Sequence, residues 1–193
     1  MRDMDVRKTL HALLNRTHAG DPDTLILDEV GLCQGHVRVD VAVVNGALTG
    51  YEIKSDRDTL DRLPGQVEAY SKVLDYAALV VGEEHAGHIH SVIPAWWGVL
   101  VATSRPDGAV VLAEVAPPRV NPSPDPYAIA QLLWRPEALA ALEARGLDQG
   151  VRSKPRRYLW ARLAEQVPLA ELRELVRSAL KAREGWLSDS PRT

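Results

Sequence analysis

The segment RVDVAVVNGALTGYEIKSD, residues 38–56, decides the reading of the fold. Valines at 37, 39, 41 and 43 alternate with other residues, Asn45-Gly46 is a turn signal, and Leu48 to Ile53 reads as a returning strand. Residues 36–44 and 47–54 are therefore expected to form a β-hairpin. Alternation places the valines on one face and Arg38, Asp40 and Ala42 on the other. On the returning strand Glu52 and Lys54 share a face, with Tyr51 and Ile53 opposite. An acid and a base side by side on an otherwise apolar hairpin point to chemistry or binding.

Whether Asp40 and Glu52 meet depends on the turn, because a slip of one residue moves a side chain to the other face. A loop of Asn45-Gly46 alone sets Asp40 opposite Tyr51 and sends Glu52 to the wrong side. With Val44-Asn45-Gly46 as a bulged loop, Gly46 left-handed, Asp40 lies opposite Gly50 and diagonal to Glu52. With Asn45-Gly46-Ala47 as the loop, the two carboxylates are directly opposed. One of the odd-length loops is expected.

Outward from the hairpin, residues 3–17 predict a first helix with Val6, Leu10, Leu13 and Leu14 on one stripe, and Thr24 to Val30 predicts a strand. Residues 59–75 read as helical, with Pro64-Gly65 either beginning the helix or joining an initial turn to it through a kink. Residues 76–82 are wholly apolar, as in a strand covered on both faces. Residues 97–103 and 109–115 read as two strands joined by an Arg-Pro-Asp-Gly turn. This is an α/β core over residues 1–116. Residues 117–126, with five prolines, read as a linker. Beyond it a helical region is expected over 127–187, with helices at 127–134, 136–145, 155–167 and 168–184, and the final eight or so residues are expected to be disordered.

At 193 residues the chain can bury a core of its own, and with 46% hydrophobic and 25% charged residues it has the composition of a soluble globular protein. No apolar run approaches the ~18 residues of a membrane span, and the opening residues lack the apolar stretch of a secretory signal, so a cytoplasmic location is expected. A single cysteine, Cys33, excludes an internal disulfide framework and a Cys-rich zinc site. Residues 1–150 hold 13 basic and 21 acidic residues, giving −8, whereas 151–183 hold nine basic and three acidic, giving +6. Such a tail suits either a polyanion or the solvated face of amphipathic helices.

Asp40, followed across the hairpin by Glu52-Ile53-Lys54, with a helix and strand before and a helix and strand after, resembles the PD-(D/E)XK nuclease superfamily. The longer string GYEIKSDRDTLDRLPGQVEAY (50–70), with IPAWWG (93–98), is similar to its small bacterial and phage families. One departure is Val39, which stands where the motif's name has Pro. The resemblance implies a restriction-endonuclease-like αβββαβ core with a mixed central sheet, followed by the C-terminal α-helical region. It also implies a Mg²⁺-dependent deoxyribonuclease, with Mn²⁺ as substitute. Asp40 and Glu52, the backbone carbonyl of Ile53 and the upstream acid Glu29 would be the metal ligands. Lys54 would assist the attacking water, and Gln66 and Tyr70, one helical turn apart, would contact the site or the DNA backbone. DNA is the implied partner, no membrane is implied, and a homodimer is compatible with the reading.

The alternative is a catalytically silent nucleic-acid-binding or regulatory protein on the same fold, its helical tail acting as a helix-turn-helix-like module. His85, His88 and His90 do not match a recognised metal-ligand spacing. The tryptophans are expected to fill the core, with Trp160 beside Arg156 and Arg157 as the candidate for base stacking. No Gly-rich phosphate loop or nucleophile elbow is present.

Overall fold

The computed structural model describes residues 2–183. The expected helical region beyond 183 and the expectation for the final eight residues lie outside the described residues. The elements follow in the order α1 (Asp3–Thr17), β1 (Leu25–Leu32), β2 (Val37–Val44), β3 (Leu48–Lys54), α2 (Leu63–Val73), β4 (Tyr76–Gly82), α3 (Glu83–Ala86), β5 (Gly98–Ser104) and β6 (Val110–Ala116). Four helices complete the described chain: α4 (Pro126–Ala130), α5 (Arg135–Glu143), α6 (Arg156–Gln166) and α7 (Leu169–Ala182).

The strands form one mixed six-stranded sheet in chain order, β1-β2-β3-β4-β5-β6. The pairs β1–β2, β2–β3 and β5–β6 are antiparallel, while β3–β4 and β4–β5 are parallel. Hairpins need only a tight turn, but each parallel step needs a crossover, which α2 and the segment containing α3 supply. The α/β class expected from the order of apolar segments is what the chain adopts.

Two apolar clusters sandwich the sheet. On one face the α1 stripe of Val6, Leu10 and Leu14 packs on Val41, Val43, Ile53, Ala78, Val80 and Leu100. On the other, α2 and α4–α7 share one buried cluster with Val39, Ala42, Val44, Leu79 and Val81. β4 contributes Ala78 and Val80 to one side and Leu79 and Val81 to the other, which explains its unbroken apolar run.

The proline-rich stretch is held to the C-terminal end of α2. Asn121, buried, donates its side-chain amide to the carbonyls of Ser71 and Leu74 at 2.8 Å each, and its backbone N–H to Asp75. The Asp75 carboxylate in turn accepts the N–H of Leu48 (2.8 Å) and pairs with Arg173 (2.8 Å) and Arg177 (3.6 Å). α7 is thereby tied to the start of β3.

The hairpin turn is the loop Asn45-Gly46-Ala47. Val44 pairs with Leu48 and Val41 with Tyr51, which sets Asp40 opposite Glu52 one step further along. The Asn45 side chain accepts the Ala47 N–H at 3.0 Å, closing the turn, and Gly46 is not left-handed.

The expected alternation of valines holds only in part. Val41 and Val43 face α1, but Val37 and Val39 lie with the cluster on the other side. The cause is Glu29 in β1, held at a left-handed φ of 55°. Pairing runs from Asp28↔Val41 to Val30↔Val39, with no ladder pair between Glu29 and Asp40, and both strands exchange faces there. Asp40 thus sits at the point where the sheet opens.

Candidate functional site

The opening at Asp40 forms one wall of a cleft of about 730 Å³, which is also lined by Glu29, Glu52, Lys54, Asp61 and Gln66. β2 supplies Asp40, β3 supplies Glu52 and Lys54, and α2 supplies Gln66 and Tyr70 one turn apart. Five residues singled out in the sequence therefore converge.

Glu52 is 1% exposed. An ionised carboxylate at that depth persists only when its oxygens are well supplied with donors. Lys54 Nζ donates to Glu52 Oε1 at 2.5 Å; the side-chain amide of Gln66 also donates to Oε1, and the Tyr70 hydroxyl donates to Oε2. Burial and the charge of Glu52 push the Tyr70 phenol well above its ordinary range, so it remains a hydrogen-bond donor. Gln66 Oε1 is buried with no hydrogen-bond partner.

Asp40 turns its Oδ2 to the backbone N–H of Ile53 at 2.7 Å, taking over where the β2–β3 ladder stops. Its Oδ1 accepts from Arg7 Nη2 at 3.2 Å, and its carbonyl accepts from Arg7 Nη1 at 2.7 Å. Arg7, from α1, also pairs with Glu29 (3.1 Å), Asp28 (3.4 Å) and Asp3 (3.6 Å). Burial and the nearby Glu52 charge push the Asp40 carboxyl up to about 7, against the opposing pull of the Ile53 N–H, Arg7 and Lys54.

These contacts bear directly on the Mg²⁺ expected at Glu29, Asp40, Glu52 and Ile53. All four carboxylate oxygens of Asp40 and Glu52 accept hydrogen bonds from protein donors, and Glu29 reaches Asp40 through a guanidinium. Ile53 presents its N–H to the site. Among the described residues no group of three or more His, Cys, Asp or Glu side chains is arranged to hold a metal ion. As arranged, the residues do not fit a resident Mg²⁺. His85 instead lies 2.9 Å from the carbonyl of Asp58.

Arg7 has no signature in the sequence, since nothing on an amphipathic helix states which distant acids a flanking arginine will meet. Ser55 caps a turn, its N–H and hydroxyl both donating to Asp58 at 2.7 and 2.6 Å.

The basic tail divides into two parts. The cations of α7 are mostly committed: Arg173 and Arg177 to Asp75, Lys181 to Asp23, and Arg183 just past the helix to Glu137. The segment Arg152–Tyr158 leading into α6 is exposed throughout. Arg152 pairs with Asp148, Arg156 donates to Gln34 (3.0 Å), and Lys154 has no acidic partner among the described residues. Trp160, expected as a stacking candidate, is 2% exposed and donates its indole N–H to Leu133, so it belongs to the core.

The fold and cleft together define an α/β protein whose buried acid, Glu52, is held by a base, an amide and a phenol. The chain belongs to the family described as bacteriophage P4 protein cII, which it matches over residues 4–190. It is similar to Protein cII of Enterobacteria phage P4, with 25% identity over 161 residues, covering 83% of this chain and 60% of that protein. It thus spans about 60% of the length of the curated relative. No solved structure matches the chain.

Family membership overturns the assignment to the PD-(D/E)XK nuclease superfamily, because the chain matches the phage family along nearly its whole length and no nuclease family. The expectation of a metal-dependent deoxyribonuclease, a hydrolase using magnesium, is corrected with it. The physical reason the residues misled is visible in the cleft: the same Asp, Glu and Lys at the same spacing form a self-satisfied polar cluster. The phage connection stands. Among the described residues no helix is long and apolar enough to cross a membrane.

Proposed function

We propose that this chain is a regulatory protein that binds nucleic acid, DNA in the first instance, without cleaving it. The observation that carries this reading is the exposed segment Arg152–Tyr158, in which Arg152, Lys154, Arg156 and Arg157 occur with no acid between them. Membership of a phage cII family favours binding or regulation over turnover. The segment lies on the opposite side of the charge balance from the acidic core, so it can meet a phosphate backbone while the rest of the molecule repels it.

In this reading the order α1-β1-β2-β3-α2-β4 is a restriction-endonuclease-like core retained as a scaffold. Residues 1–116 hold the shape, 117–126 fasten to the end of α2, and the helical region presents the contact surface. Asp40, Glu52, Lys54, Gln66 and Tyr70 keep a positioning role, fixing the end of the hairpin against α2. Mg²⁺ or Mn²⁺ would enter at Glu29 and Asp40 only in exchange for Arg7, and would reach Glu52 only by displacing Lys54, Gln66 or Tyr70. A homodimer would present two basic segments.

The test is fluorescence anisotropy with labelled DNA over a salt series, with sedimentation to read stoichiometry. Binding should weaken steeply with salt, and Lys154→Gln/Arg156→Gln/Arg157→Gln should lower the salt slope by about 2 to 3, at about 0.9 for each phosphate no longer neutralised. Binding that ignores both salt and the triple variant, or no binding to any nucleic acid, defeats the reading.

A further inference from the structure

We infer that the groove beside Trp134 is a binding site for an unpaired nucleobase, so that the preferred ligand is single-stranded DNA. The inference rests on the nucleic-acid-binding reading above and goes beyond it by naming the strand form and the contact.

Trp134 is 57% exposed, the only tryptophan among the described residues that is not buried. It stands at the entrance of α5, where its backbone N–H donates to Glu137 at 2.6 Å, so the indole itself is not what caps the helix. Beside it lies a groove of about 270 Å³, lined among others by Gln34, Gln131, Arg156, Trp160 and Arg183. The part of the indole that stays exposed is a stacking surface on the wall of this groove.

The charges around the ring are set in place. The Arg183 guanidinium lies 4.3 Å from the Trp134 ring centroid and is fixed by Glu137 and the carbonyl of Leu132. That cation braces the ring and polarises it. On the other side of the groove Arg156 sits 5.0 Å from the Trp160 ring and bonds to Gln34. Gln34 is held in a left-handed conformation, φ 62°, which aims this loop residue at α6 from 122 positions away.

The parts match what a single strand needs. An aromatic platform takes a base face, the Gln34 and Gln131 amides can address base edges, and Arg156, with Lys154 and Arg157 further along the exposed segment, tracks the phosphates. In a duplex the bases are already stacked on each other, so Trp134 has nothing to receive. Charge complementarity and the exposed ring select an unpaired polynucleotide.

The experiment uses the full chain with labelled oligo(dT) and a duplex of equal length, measured by anisotropy at one salt concentration. Oligo(dT) should bind at least tenfold more tightly than duplex. Trp134→Ala should weaken oligo(dT) binding about tenfold, as expected when one base stack is removed, and Trp134→Phe should recover most of it. Circular dichroism melts confirm that both variants fold. Equal affinity for duplex, or oligo(dT) binding unchanged in Trp134→Ala, overturns the inference while leaving the general reading intact. Failure of the unmodified chain to bind either ligand overturns both.

Discussion

Arg7 grips Asp40 twice, through the carbonyl at 2.7 Å and through the carboxylate at 3.2 Å, across 33 positions of chain. A helix on one face of the sheet thereby closes the gap where β1 and β2 stop pairing. Cleft and fold share a fastening.

Removing that fastening should be costly. In Arg7→Met the acids Asp28, Glu29 and Asp40 face one another without a cation, and the half-buried setting puts the expected loss at about 2 kcal/mol, below the roughly 3 to 5 of a fully buried pair. Millimolar Mg²⁺ should restore part of the melting temperature in Arg7→Met and leave the unmodified chain unmoved. Equal responses to Mg²⁺ in the two proteins would show that Arg7 does not stand in for a cation.

Asp40 sets a pH dependence. Its folded-state value of about 7 lies above the ordinary 3.8, so the folded protein holds a proton that the unfolded chain releases. The stabilisation is complete below pH ~4 and is lost as pH rises through about 7. The groups facing it are Glu52 and Lys54 from β3, Tyr70 from α2, Arg7 from α1 and, through Arg7, Asp28 and Glu29 from β1. Asp40→Asn resembles the protonated form in both states, so the variant's advantage in melting temperature should be smallest near pH 4 and should grow as pH rises to about 8. A constant difference in melting temperature over that range would refute the assignment.

Gly50 tests the packing under the hairpin. It pairs with Ala42, and a methyl group added there would run into Leu74 and crowd Val39. Gly50→Ala should destabilise by about 1 to 3 kcal/mol. Gly46→Ala, in open space and not left-handed, should cost little. Urea titrations of the two variants give the comparison directly.

Much of the architecture was legible because it is local. The α1 stripe, the three-residue turn and the apolar run of β4 each declare themselves within a few residues. That Asp40 and Glu52 meet followed from the length of the turn, whereas Gln66 and Tyr70 were expected beside them only through the family resemblance. What the residues left open was long-range: Arg7 reaching Asp40, Gln34 reaching Arg156, and the exposure of Trp134 rather than Trp160. The exchange of faces at Asp40 was hidden for a related reason, since a left-handed glutamate has no sequence signature and Glu29 looks like any other strand acid. The spacing of an acid, a second acid and a lysine determined where they meet. It could not say whether their oxygens would be left open or filled by neighbours.

The loop Asn45-Gly46-Ala47 sets a spatial reading frame for everything after it. Deleting one of its residues leaves every downstream codon intact, yet transposes the returning strand, so that Glu52 and Lys54 would be written into the α1 side among Val6, Leu10 and Val80. Length at this turn is therefore under tighter constraint than identity: Gly46 can be exchanged, but it cannot be dropped.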